Sequence, residues 1–187
     1  MTKIWDREKH LKELATVIEG SVVDDRPRVE VCIKGSTLGF ASTIEAIGTG
    51  FPFGVSFFMV TDVLGENRAP GKYLTISPKV VQGFLAKFSR ILLLDGGAVK
   101  VGDSQFDQHF ILRTSDSMWS RAFIKYPGMM RKLSDLFEVS KFSEFHFREK
   151  QGICVVQSQC LEDLSTDQAR EVFRAMAPIA QVIFDVF

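Results

Sequence analysis

Hydrophobic and polar residues change period along the chain, and each change predicts an element. Ile4, Leu11, Leu14, Ala15 and Ile18 recur at helical spacing among Asp6, Arg7, Glu8, Lys9, Lys12 and Glu13, which predicts an amphipathic helix over 5–19, closed by Gly20. After Asp24-Asp25-Arg26-Pro27 the period falls to two. Val29, Val31 and Ile33 alternate with Glu30, Cys32 and Lys34, the mark of a half-exposed strand. Gly35-Ser36 reads as a turn into a second strand over 38–46, and Gly48-Thr49-Gly50-Phe51-Pro52 separates that strand from a third over 53–62. The third carries Val55, Phe57 and Met59 on one face and Phe58 and Val60 on the other, which predicts a central position in a sheet. A polar loop over 65–71 leads to a short fourth strand over 73–76. Ser77 then suits a helix cap with Pro78 at the first helical position, since proline lacks an amide that would go unpaired there anyway. That helix would turn Val81, Phe84, Leu85 and Phe88 inward.

Asp95-Gly96-Gly97 breaks the chain, and Gly102-Asp103-Ser104-Gln105-Phe106-Asp107-Gln108-His109-Phe110-Ile111-Leu112-Arg113 follows. Read as a strand, it points Phe106, Phe110 and Leu112 one way and Asp107, His109 and Arg113 the other. Ser115 or Asp116 can cap a helix through Trp119, Ala122 and Phe123, and Pro127-Gly128 opens another through Met130, Leu133, Leu136 and Phe137. Phe145 and Phe147 alternate with Glu144, His146 and Arg148, and Lys150-Gln151 turns the chain into a strand over 153–157. Ser165-Thr166-Asp167 starts a last helix whose stripe runs from Val172 and Phe173 through Met176, Ile179, Ala180 and Ile183 to Phe184 and Phe187. Pro178 inside it predicts a bend near Ala177. The strands come in close-spaced runs, so the fold class is α+β with antiparallel sheet and helices at the N-terminus, middle and C-terminus, in the order αββββα-βααββα. No linker divides residues 1–187, which read as a single domain with possible closely packed halves 1–95 and 96–187.

Composition narrows the function classes. Lys plus Arg and Asp plus Glu number 23 each, so no global field would draw in a polyanion, and nucleic acid is not an expected partner. Apolar runs fall short of the ~20 residues of a membrane helix, and the N-terminal residues show no secretory signal pattern, so the expected location is the cytoplasm. Cys32, Cys154 and Cys160 form an odd set without a CxxC, in keeping with free thiols in a reducing compartment. Phe is over-used, with 17 residues against two Tyr and two Trp, which favours packing over hydrogen-bonded recognition.

The spacing Gly102-Asp103, Phe106-Asp107 and Phe110, followed by a Ser/Thr-Xaa-Asp helix start, resembles a GDxxFDxxF pattern of an uncharacterised bacterial α+β protein family. The resemblance covers roughly the C-terminal half, and it implies neither an established activity nor a catalytic residue. The order of elements is also similar to small secretion-chaperone-like modules, an analogy of layout alone.

Candidate chemistry gathers on two strands. Asp107 and His109, two apart on one face, have the spacing by which a carboxylate orients an imidazole for general acid/base work, although an exposed charge ladder beside Arg113 is what such faces ordinarily carry. His146 sits similarly between Glu144 and Arg148. If both strands share a sheet, Asp107, His109, Arg113, Glu144, His146 and Arg148 form one polar face suited to a partner. Asp103 after a glycine is expected to tie a turn. Cys154, placed across the hairpin from Phe147, would point into the core as a small hydrophobe. Cys154 and Cys160 with His146 or His109 match no common zinc spacing, so no metal is expected, and no cofactor is implied. Gly48, Gly50 and Gly54 precede a strand rather than a helix, which favours a hairpin over a phosphate cradle. The expected function is a non-enzymatic cytoplasmic module that binds a protein partner or self-associates. The alternative is a small-molecule or lipid carrier with a Phe-lined cavity, and an enzyme using Asp107 and His109 is a third reading.

Overall fold

The computed structural model describes residues 6–23, 30–47, 54–60, 72–79, 98–148 and 152–186. Within them the period-two segments assemble into one nine-stranded sheet, and the apolar stripes of the helices pack on one of its faces. The strands are β1 (Ser21–Val23), β2 (Val31–Thr37), β3 (Phe40–Ile47), β4 (Gly54–Val60), β5 (Tyr73–Pro78), β6 (Ala98–Val99), β7 (Phe110–Thr114), β8 (Glu144–Arg148) and β9 (Gly152–Gln157). Their spatial order is β1-β2-β3-β4-β9-β8-β5-β7-β6, and every pairing is antiparallel. The α+β class expected from the sequence is therefore the observed one. β5 lies between β8 and β7, so the chain's two halves interdigitate within the sheet.

Register explains why one face is core. Val22, Ile33, Ile44, Phe57, Val155, Phe145, Ile76, Leu112 and Val99 stand opposite one another from strand to strand, forming a single apolar row across all nine strands. Paired residues point to the same side, so the row presents one continuous surface to the helices. These are α1 (Arg7–Val17), α2 (Ser104–His109), α3 (Ser117–Lys125), α4 (Met129–Ser140) and α5 (Thr166–Val186). Phe57 meets Phe173 of α5 edge to face at 5.6 Å, and Phe147 stacks on Trp119 and Phe123 of α3 at 5.2 and 5.5 Å. Burying each such ring contributes about 1.5–3 kcal/mol.

Helix starts follow their caps. Asp6 accepts from the Lys9 amide, Asp103 from Phe106, Asp116 from both Met118 and Trp119, and the Ser165 hydroxyl from Gln168. Asp103 thus fastens the first turn of α2. α5 runs unbroken through Pro178, which lies on the exposed side of the helix, where water can take the carbonyl left by the missing amide.

Three local expectations are corrected. Gly35 and Ser36 lie inside β2, and the turn is Leu38-Gly39, with φ of 53° and 84°, the two-residue hairpin geometry of a type I′ turn. Gly35 is required for another reason: a Cβ there would come within 2.1 Å of the Ile18 carbonyl, where the end of α1 crosses β2 and Ser36 donates its amide to the same oxygen. Ser77 and Pro78 end β5 rather than start a helix, and the helix expected around Val81, Phe84, Leu85 and Phe88 lies outside the described residues, as do the loops 48–53 and 65–71. Ser104 to His109 is helix rather than strand because Asp103 caps it, and the strand begins only at Phe110. β1 and β6, three and two residues of pairing at the sheet's edges, are too short for alternation to reveal.

Candidate functional site

The face of the sheet opposite the helices carries the polar half of each alternation. Its residues fall into rows by register. One row runs Val23, Cys32, Glu45, Ser56, Val156, Glu144. The next runs Ser21, Lys34, Thr43, Phe58, Cys154, His146, Thr75, Arg113, Ala98. In a third, Gly152, Arg148 and Tyr73 stand side by side. Charge is sorted accordingly: the first row holds the carboxylates, and the second and third hold Lys34, His146, Arg113 and Arg148.

At the centre is a hydrogen-bonded relay. The Glu144 carboxylate lies 2.9 Å from Nε2 of His146, and Nδ1 of His146 lies 3.0 Å from the Thr75 hydroxyl. A carboxylate only accepts, so Nε2 carries a proton and donates it to Glu144, and in the neutral tautomer that this bond selects Thr75 donates to the bare Nδ1. Glu144 and His146 are about three-quarters buried, with side-chain exposures of 26% and 25%, and Thr75 is 3% exposed. Both ring nitrogens are committed, which fixes the imidazole's orientation but leaves neither free to take a proton from a substrate. Thr75 is too enclosed to act as an attacking hydroxyl.

Around the relay stand groups with different standing. Arg113 is in register with Thr75, and Arg148 with Tyr73. Neither guanidinium has a hydrogen bond or an ion pair among the described residues. Ser77, next along the same face of β5 and in register with Ile111, is 9% exposed, and its hydroxyl has no hydrogen-bond partner among the described residues. Cys154 faces this side too, in register with His146, whereas Phe147 pairs with Ile153. Its expected place in the helix-side core is therefore overturned, because the hairpin register is one residue away from the assumed one. Burial, then the neighbouring Glu45 and Glu144 carboxylates, push its thiol up to about 12 against the opposing pull of Arg148. It is protonated at neutral pH and a poor nucleophile.

The six residues expected to share a polar face divide. Arg113, Glu144, His146 and Arg148 are brought together on it, although β5 separates their strands. Asp107 and His109 are not. The Asp107 carboxylate receives the Val101 and Gly102 amides, both at 2.9 Å, and His109 Nδ1 donates to the Gln105 carbonyl at 2.8 Å, so the carboxylate does not orient the imidazole. The acid/base geometry required by an enzyme using that pair is absent. Thr75 and Tyr73 were missed as site residues, yet the alternation of Tyr73, Thr75 and Ser77 with Leu74 and Ile76 carries the signal. Among the described residues, no three His, Cys, Asp or Glu side chains gather where they could hold a metal ion, and no helix is long and apolar enough to cross a membrane. No family model matches the chain, and no curated protein or solved structure compared with it matches either.

Proposed function

We propose that this chain is a non-enzymatic binding module that engages a protein partner through the polar face of its sheet. The observation that carries the reading is the arrangement around His146: the relay spends its own donors and acceptors internally and holds a rigid floor, while the Tyr73 phenol and the Arg113 and Arg148 guanidiniums flank it without polar partners among the described residues. Rigid side chains surrounding uncommitted charged and aromatic ones suit recognition, where little ordering entropy remains to be lost on binding. Reaction chemistry gains no comparable support, because the imidazole is saturated and the Cys154 thiol is held protonated. The carrier reading finds no support in the described phenylalanines, which pack on one another and on the helices: Phe110 against Phe106, Phe137 and Phe142, and Phe142 against Phe145. The reading is tested by placing the photo-crosslinking residue p-benzoylphenylalanine at Tyr73, or at exposed Glu171 on α5, and irradiating in native lysate. A discrete protein adduct from position 73 that is missing from position 171 is expected. Identical adducts from both positions, or none from position 73, would overturn it.

A further inference from the structure

Charge on the polar face is sorted by row, and the sorting says what kind of partner fits. Its acids are engaged or set apart: Glu144 holds His146, and Glu45 lies in the same outer row, within hydrogen-bonding reach of the Cys32 thiol at 3.9 Å. The two arginines sit on the other side of the relay. Arg113 and Arg148 are separated by one intervening strand and by two residues of register along it. With strands ~4.8 Å apart and a rise of ~3.3 Å per residue, their backbones stand ~12 Å from each other. Tyr73 lies between them, beside Arg148, and its phenol has no hydrogen-bond partner among the described residues.

We propose, resting on the reading of this face as a docking surface, that its occupant is an acidic segment of a protein partner, whose carboxylates are gripped by Arg113 and Arg148 with the Tyr73 phenol as an added donor. Three features converge on that chemistry. Guanidinium forks match carboxylates bidentately, and such bonds are roughly twice as strong as neutral ones. The separation fits an extended chain, in which side chains four residues apart lie ~13 Å from each other on one face. The relay supplies a fixed floor between the forks, with the Glu144 carboxylate held against Nε2 of His146. A basic partner segment would meet two guanidiniums that have no ion pair among the described residues and lose affinity through like-charge contact.

The test uses fluorescein-labelled hexaglutamate as the probe and fluorescence anisotropy as the readout, with hexalysine as the opposite-charge arm and inorganic phosphate as competitor. Wild-type protein is expected to bind hexaglutamate and not hexalysine, and phosphate at equal charge is expected to compete poorly because a single anion cannot span both forks. Arg113→Gln and Arg148→Gln should each weaken binding about tenfold, the loss of one charge-assisted pair. Arg131→Gln, a fully helix-side and exposed arginine, should leave it unchanged. Circular dichroism on each variant separates loss of binding from loss of fold. Equal weakening by Arg131→Gln, undiminished binding in the double variant Arg113→Gln/Arg148→Gln, or preference for hexalysine would each overturn the proposal. Failure of this proposal is distinguishable from failure of the docking-surface reading: an adduct from position 73 that persists in the double variant leaves the face a docking surface with a non-acidic occupant.

Discussion

Two neighbouring hydroxyls on β5 have opposite energetic roles. Thr75 donates to His146 Nδ1 from a buried position, whereas the Ser77 hydroxyl, two residues on, is buried with no partner among the described residues. An orphaned buried polar group costs more than a made hydrogen bond returns, typically about 1–3 kcal/mol against about 1. Thr75→Val keeps the shape but strands Nδ1, and it should lower unfolding free energy by about 1–3 kcal/mol. Ser77→Ala should be neutral or stabilising. Urea unfolding midpoints, at unchanged slope, measure both. If Ser77→Ala destabilises as much as Thr75→Val, the hydroxyl has a partner and the asymmetry is wrong. At this scale the sequence was informative about residue type but not about partners. Asp107 and His109 have the spacing of an orienting pair only on a strand, and the Asp103 cap turns that segment into helix, sending the carboxylate to the Val101 and Gly102 amides instead.

Among elements, the contact between the end of α1 and β2 sets a constraint that periodicity cannot display. Gly20 and Gly35 face each other so closely that a Cβ on Gly35 would lie 2.6 Å from the Gly20 Cα, besides striking the Ile18 carbonyl. Gly39, by contrast, has a φ of +84° and open space around it. Gly35→Ala must push backbone against backbone and should destabilise by more than about 3 kcal/mol, as overpacking at a rigid contact does. Gly39→Ala should cost about 1 kcal/mol, the conformational penalty alone. Thermal denaturation of the two variants ranks them, and a reversed ranking would mean that α1 does not seat on β2 in this way. The same pair shows where sequence reading fails. Gly35, in a polar dipeptide, reads as a turn but sits mid-strand, whereas Gly39, read as part of a strand over 38–46, is the turn. Long periodic segments were legible: α1, α3, α4, α5, β8 and β9 stand close to where their patterns place them, because an amphipathic stripe of three turns or a clean alternation leaves few alternatives.

In the whole molecule, the helices cover one face of the sheet, and the polar groups collect on the other. That division was readable from alternation, since residues two apart share a face whatever the strand order. The strand order itself was not, because the insertion of β5 between β8 and β7 depends on long-range pairing that local pattern does not encode. It is this insertion that brings Thr75 to His146 and sets Arg113 and Arg148 on either side of Tyr73 and Thr75, so topology rather than any motif builds the candidate site. The most direct measurement is a nuclear magnetic resonance titration of the labelled protein with hexaglutamate, following backbone amides together with arginine Nε–H and histidine ring signals. The account predicts that shift changes centre on Tyr73, Thr75, Arg113, His146 and Arg148 and that α1 and α5 stay unmoved. Shifts centred on those helices, or spread over the surface without focus, would contradict it.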